Sequence, residues 1–276
     1  MNTKTLYISD LDGTLLNANA ELSDYTIQVL NRIISDGGYF SVATARTAAT
    51  AVIMLERVNI NIPVILMNGV LVYDIAAKEY IRKEYLSGSA MECILAALKT
   101  CDQGAFMYSI HNDTLYTYYE KLDSDVMREF YESRIQLYGK RFDKTDDFAC
   151  TDVGEVVYFT IIDKHDRVRR MHDLVTAHPM IRAEMYGDIY SEDMWYLEIF
   201  SHTASKQTAA EFLREYGGFD RLIGFGDNLN DIPLMCACDE FYAVENANDA
   251  VKGCAAAVIG ANNQDGVARW LADNAL

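Results

Sequence analysis

Two carboxylates two residues apart, Asp10 and Asp12, stand directly behind the apolar run Leu6-Tyr7-Ile8 and ahead of Gly13-Thr14. A short strand that ends this way sets both acids at one strand mouth, and the glycine lets the chain turn sharply after them. Such a pair suits phosphoryl chemistry. Side chains at i and i+2 of a regular strand point the same way, so the two acids crowd each other unless a divalent cation neutralises them or the turn swings Asp12 aside. In the second case one acid stays ionised while the other carries a proton. The plain alternative is a solvated strand-to-loop turn rich in Asp and Gly.

A second acidic cluster, Gly226-Asp227-Asn228-Leu229-Asn230-Asp231, follows the apolar run at 222–225. Mg²⁺ takes a few carboxylate oxygens together with water and phosphate oxygens, so one acid from each of two neighbouring strands makes a sensible partial cage. Asp10 and Asp227 are the expected pair. Read by itself, the hexapeptide is a loop whose Asn and Asp residues cap a helix. Lys206 opens a helical stretch after Ser205. A lysine is usually a solvated surface charge, but from this place it could reach both a phosphate oxygen and the Asp10 carboxylate. Thr44 ends the run Tyr39-Phe40-Ser41-Val42-Ala43. Its hydroxyl and the backbone amides that follow, from Ala45 on, could donate to a phosphoryl group at a helix entrance; an N-cap is the structural alternative.

The elements that must position these residues alternate. Residues 5–9 read as a buried strand, 23–36 as a helix begun by Ser23 or Asp24 and stopped by Gly37-Gly38, 39–43 as a strand, 47–58 as a helix, and 63–67 as a strand ending in Asn68-Gly69. That order predicts a parallel sheet with crossover helices, and ligands of such sheets bind at the carboxyl ends of the strands. A hairpin at 70–74 and 79–83 leads into a stretch of different character, rich in Tyr, that reads as an inserted α+β domain over 84–188. The run Tyr196-Leu197-Glu198-Ile199-Phe200 reads as a return to the first sheet, which is then completed by strands at 222–225 and 241–244 and helices at 205–216, 247–252 and 265–273. The expected fold class is therefore α/β, a Rossmann-like parallel core from residues 1–83 and 189–276 carrying an inserted α+β cap.

At 276 residues two domains are the default expectation, and a half-apolar composition supplies both cores. A formal charge of -17 argues against nucleic acid or an anionic membrane as the main partner, while leaving room for small anions where a metal ion and basic side chains reverse the potential locally. The six cysteines show neither a zinc pattern nor a disulfide framework and read as buried thiols of a reducing compartment. No stretch reads as a signal peptide or a membrane span, so a soluble cytoplasmic protein, monomer or homodimer, is expected.

Taken in order, Asp10-Leu11-Asp12-Gly13-Thr14, Ala43-Thr44-Ala45-Arg46, Asn68-Gly69, Ser205-Lys206, the 226–231 cluster and Glu245-Asn246-Ala247 resemble the haloacid dehalogenase superfamily. Within it the chain resembles the Cof-type phosphatases with a type IIB cap. The resemblance covers nearly the whole chain. It implies a Mg²⁺-dependent phosphatase of small phosphorylated metabolites, such as sugar phosphates or phosphorylated cofactors. Asp10 would be the nucleophile that forms an aspartyl-phosphate, and Asp12 the general acid and then the base. The Asp12 backbone carbonyl would join Asp10 and Asp227 as a metal ligand. Thr44, Ala45, Lys206 and Asn230 would bind phosphate, with Arg46 reaching the substrate or else pairing with a surface acid. Asp231 would orient Lys206 or a metal-bound water, and Thr14, Asn68, Gly69 and Asn246 would support the site.

The family usually has glycine where Ala45 stands, and often where Gln207 and Asn228 stand; none of these departures removes a group the mechanism needs. The cap would supply specificity, with Tyr108, His111, Tyr116 and Tyr118 as candidate contacts, although aromatic residues on strands more often pack a sheet face. A sugar phosphomutase on the same scaffold and an inactive metabolite-binding regulator are the rival readings.

Overall fold

Apolar runs without alternation suit strands buried on both faces, as in a parallel sheet covered by helices. The computed structural model describes residues 3–149, 154–187 and 194–275. Five such strands lie in the order Ala257–Ile259, Glu240–Val244, Arg221–Gly226, Thr5–Ser9, Tyr39–Val42, all parallel. A parallel bridge from Ala43 to Ile65 brings Val64–Leu66 alongside. From Thr5–Ser9 the chain winds outward through Tyr39–Val42, and its C-terminal part winds the other way from Arg221–Gly226. The direction of winding thus reverses between Thr5–Ser9 and Arg221–Gly226, and a crevice opens at the carboxyl ends of strands where it does so. Asp10 and Asp227 each follow one of these two strands.

Local signals set the helices. Asp24–Ser35 starts where the Ser23 hydroxyl accepts from the Thr26 amide at 3.0 Å, buries Ile27, Leu30 and Ile33, and ends before Gly37 at φ +90°. The helix after the second strand is shorter than its sequence pattern suggests, Ala48–Leu55, and its N-cap is Thr47 rather than Thr44.

The chain divides into two compact units, Met1–Arg82 with Ser205–Leu276, and Lys83–Ala204. The second is built on a six-stranded sheet in the order Ile181–Gly187, Trp195–Ser201, Glu155–Asp163, Phe106–His111, Thr114–Tyr119, Asp143–Lys144. Here the structure corrects the sequence reading. Trp195–Ser201 pairs antiparallel with Ile181–Gly187 and Glu155–Asp163, so it belongs to the insertion, and the chain returns to the first unit at Ser205 rather than at 189. Leu197, Ile199 and Phe200 are buried on both sides of their strand, a pattern that does not tell one sheet from the other.

Helices Gly88–Cys101 and His165–Val175 cover one face of this sheet through Ile94, Met107, Phe159, Ile161, Val168, Leu197 and Ile199. Tyr108 is buried edge-on to Tyr158, and Tyr118 packs against that core, so both have packing roles. Tyr116 stacks on Tyr118, and His111 is exposed beside a turn whose Asn112 and Asp113 have φ of 48° and 58°. The cysteines are another correction. Those among the described residues are free, but Cys236 and Cys254 are exposed; Cys150 lies outside the described residues. No helix among the described residues is long and apolar enough to cross a membrane.

Lys140, just beyond the C-cap of helix Asp125–Tyr138, is buried without a carboxylate partner among the described residues. Its Nζ lies 3.3 Å from the Tyr108 hydroxyl and over the rings of Tyr108 and Phe142. Burial, aided by the Arg134 guanidinium, pushes its pKa down to about 7. The unfolded chain therefore binds the proton more tightly, and stability rises with pH from about 7 to the ordinary lysine range, the full penalty being present below about 7. Lys140→Met should raise the melting temperature at pH 6–7 by several degrees and flatten its rise toward pH 10. A variant that melts like the parent across that range would show the amine to be solvated.

Candidate active site

Three segments far apart in sequence meet at the carboxyl end of the parallel sheet. The first follows strand Thr5–Ser9, where the Asp10 amide donates to the Phe225 carbonyl at 2.9 Å. The next residues, Leu11–Leu15, form one wide helical turn broken at Asp12 and at Gly13, whose φ is +78°. Gly13 is required twice over. Its φ favours glycine, and a Cβ there would lie 2.5 Å from Asp227 Oδ2. This turn parts the two acids: Asp10 is buried, whereas Asp12 is exposed.

The second segment is the start of helix Lys206–Gly217. Ser205 caps it by accepting from the Thr208 amide at 3.0 Å. Gly69, at φ +95°, lets the preceding loop pass against this helix start, because a Cβ on it would meet the Ser205 carbonyl at 2.0 Å. Lys206 is fully buried. Its Nζ donates to Asp10 Oδ1 at 2.6 Å and to Asp231 Oδ1 at 2.7 Å.

The third segment is the loop after Arg221–Gly226. Asp231 Oδ2 accepts from the amides of Asp227 and Asn228 at 2.9 and 3.1 Å, so both its oxygens are engaged and it clamps the loop to Lys206. Thr14 Oγ1 donates to Asp227 Oδ1 at 2.9 Å. Asn246 Nδ2 donates to the Gly13 carbonyl at 2.7 Å, and its Oδ1 accepts from the Asn262 amide at 3.0 Å. Asn262 thereby ties the C-terminal region to the first loop, a link that no local sequence signal marks. Asn230 Nδ2 reaches Asn68 Oδ1 at a long 3.5 Å.

The carboxyl ends of the neighbouring strands bring Thr44 to the same mouth. It is buried, its amide donates to the Ile65 carbonyl, and its Oγ1 accepts from the Arg46 amide at 3.2 Å, which leaves its O–H free to donate. Arg46 pairs with an acid of the first loop. Its Nε and Nη2 bind the two oxygens of Asp12 at 2.7 and 2.6 Å, the acid-pairing alternative of the sequence reading but with an acid of the site itself.

The electrostatics follow from burial. The Asp10 carboxyl is pushed well above the ordinary carboxylate range by desolvation; Lys206 opposes this, while Asp231, Asp227 and Asp12 add to it. Desolvation and the Asp231 charge push Asp227 up to about 7, against the Thr14 hydrogen bond and Lys206. Burial works against the Lys206 charge, but the Asp10 and Asp231 carboxylates outweigh it and the ammonium stays protonated.

The chain is similar to known proteins. A family model described as haloacid dehalogenase-like hydrolase matches residues 7–271. The chain belongs to that family. Its relatives include 5-amino-6-(5-phospho-D-ribitylamino)uracil phosphatase YitU of Bacillus subtilis and pyridoxal phosphate phosphatase YbhA of Escherichia coli. Each is 24% identical, over 98% of this chain and 98% of its own. Among solved structures, a haloacid dehalogenase-like hydrolase from Bacteroides thetaiotaomicron superposes with a TM-score of 0.80 at 21% identity, covering 98% of both chains. The subclass IIB sugar phosphatase BT4131 superposes at 0.78 with 18% identity and the same coverage.

The donor set of this haloacid dehalogenase-like hydrolase fits a divalent cation. Ligand atoms of Asp10, Asp227 and Asp231 lie within 4.8 Å of one another. Because the Asp231 oxygens are already bound to Lys206 and to two amides, Asp10 and Asp227 are the carboxylates left to hold an ion.

Lys206 also carries a structural load. Lys206→Met would leave the buried Asp10 and Asp231 without their cation, at a cost of about 3–5 kcal/mol. The expected outcome is a markedly lower chemical-denaturation midpoint in the absence of any substrate. An unchanged midpoint would mean that the carboxylates take up protons at little cost.

Proposed function

We propose that this haloacid dehalogenase-like hydrolase, a phosphatase by family, removes phosphate from a small phosphorylated metabolite through an aspartyl-phosphate at Asp10, with Mg²⁺ as cofactor. What carries the reading is the meeting of Asp10, Lys206 and Asp227 at one strand mouth, with Asp12 turned away from the other acids on the Gly13 turn.

The chemistry follows from the environments. Lys206 engages Asp10 Oδ1 and leaves Oδ2 without a hydrogen bond among the described residues, available to attack phosphorus in line. The ester P–O bond breaks as the Oδ2–P bond forms, and Asp12 gives its proton to the departing alkoxide oxygen. Asp12, now a carboxylate, takes a proton from water as the water oxygen attacks the aspartyl-phosphate. The P–Oδ2 bond then breaks, which frees inorganic phosphate and regenerates Asp10. Lys206 and the Thr44 hydroxyl hold phosphoryl oxygens and stabilise the charge that develops on them. Mg²⁺, held by Asp10, Asp227 and the Asp12 carbonyl, would neutralise phosphoryl charge, and its preference for hard oxygen donors matches that set.

The substrate class is supported by relatives named for dephosphorylating a ribitylamino-uracil phosphate, pyridoxal phosphate and sugar phosphates. The insertion would set specificity, the role that a cap of the IIB type has.

The decisive experiment is a phosphate-release screen over sugar phosphates, pyridoxal 5′-phosphate and p-nitrophenyl phosphate. Release should need Mg²⁺ and vanish in Asp10→Asn, which preserves shape while removing the nucleophile. Isomerised sugar phosphate in place of free phosphate would move the reading to a mutase, and binding without turnover to a regulator. Asp227→Asn should fold as the parent does but lose the rise in melting temperature that Mg²⁺ gives the parent. An undiminished rise would place the ion elsewhere.

A further inference from the structure

The guanidinium of Arg46 and the carboxylate of Asp12 form a two-point fork, Nε to Oδ2 at 2.7 Å and Nη2 to Oδ1 at 2.6 Å. Two parallel charge-assisted bonds fix the plane and the direction of a carboxylate, which a single contact does not. The two partners are unequally anchored. The Arg46 side chain is 16% exposed and its backbone is tied on both sides, with its amide donating to Thr44 Oγ1 and its carbonyl accepting from the Met67 amide. The Asp12 side chain is 44% exposed, on the turn next to Gly13. The arginine is the fixed post, and the aspartate is what it holds.

We propose that Arg46 is the positioning residue of Asp12, holding in one rotamer the ionised carboxyl group, the form that takes the proton of the attacking water. The inference rests on the reading of Asp12 as acid and base given above. An exposed aspartate beside a glycine turn would otherwise sample several rotamers, and a proton carrier works only within hydrogen-bond reach of the atom it serves. A carboxylate already aimed avoids that loss of freedom at the moment of reaction. The fork also explains why Arg46 is no simple phosphate ligand: the Nε/Nη2 edge, the one suited to two-point recognition of an anion, is committed to Asp12. The fork requires an arginine, since a lysine ammonium at the same place is a point charge that cannot fix the carboxylate plane.

The test is a double-mutant cycle on kcat and KM with ribose 5-phosphate and p-nitrophenyl phosphate, using Arg46→Ala, Arg46→Lys, Asp12→Asn and the double variant Arg46→Ala/Asp12→Asn. Arg46→Ala should lower kcat by about a hundredfold with KM within a few-fold of the parent, since proton transfer by a positioned group contributes on that order. Arg46→Lys should recover only part of the loss, and added guanidinium should raise the kcat of Arg46→Ala. In the Asp12→Asn background Arg46→Ala should cost nothing further. A higher KM at unchanged kcat, or losses that add in the double variant, would overturn the inference and make Arg46 a substrate ligand. If Asp12→Asn itself leaves kcat unchanged on both esters, the assignment of Asp12 falls and this inference falls with it. Guanidinium rescue separates lost positioning from lost folding, because a misfolded variant is not rescued.

Discussion

A buried lysine keeps its proton at neutral pH only where anions meet it, and that requirement at Lys206 organises the site. Its two carboxylate partners come from the loop after the first strand and from the loop after Arg221–Gly226, while the lysine itself begins the helix at which the chain re-enters the first unit. The same contacts explain how the fold tolerates an insertion as long as Lys83–Ala204. The entropic cost of closing a loop grows slowly with its length, so what matters is that its two ends are held together. Gly69 lies against Ser205, and Arg82 Nη1 donates to the Thr208 carbonyl at 2.6 Å, so exit and return are fastened to each other next to Lys206. Site and domain organisation thus meet at the start of one helix, Lys206–Gly217.

The two acids of the first loop are chemically the same group and are made different by a single turn. Asp10 is sealed against an ammonium with three other acids nearby, and Asp12 is exposed against a guanidinium. Opposed environments are the general means by which one enzyme runs a nucleophile and a proton carrier with two carboxyl groups. Gly13 makes the separation possible, and the carboxylate of Asp227 fills the space where a side chain at 13 would have been.

How much of this is legible in the sequence depends on the kind of information involved. Asp10 and Asp227 can be read because each directly follows a buried apolar run, and their parallel strands fix where they end up; Lys206 is read from the order of the motifs alone, because the strand before it belongs to the antiparallel sheet. The first sheet can be read because its apolar runs are continuous. The assignment of residues 195–201 fails for the same reason: Leu197-Glu198-Ile199-Phe200 is as apolar as a core strand, and only pairing shows that its neighbours are Ile181–Gly187 and Glu155–Asp163. Pairing is a non-local property, absent from any window of sequence. The Arg46–Asp12 fork is non-local in the same sense, since it joins two loops, each of which gives no sign of the other. The tyrosines of the second unit show the reverse case, where the bland expectation for Tyr108 and Tyr118, packing, describes what they do.

The charge balance of the site points outward to its ligand. Asp10, Asp12, Asp227 and Asp231 bring four formal negative charges against the two positive charges of Lys206 and Arg46, which leaves -4 + 2 = -2 in a chain whose overall charge is already -17. A phosphate ester is an anion and would be repelled by such a site. Burial first, and the neighbouring acids second, make Asp10 and Asp227 hold protons more tightly than carboxyl groups ordinarily do in the isolated protein. A divalent cation would cancel the surplus, -2 + 2 = 0, displace the protons from both carboxylates and offer its own positive charge directly to a phosphate oxygen. The crowding of acids that looks unfavourable in the protein alone is thus the arrangement a cation would relieve, and a bound ion would make room beside Asp10 for an anionic ligand.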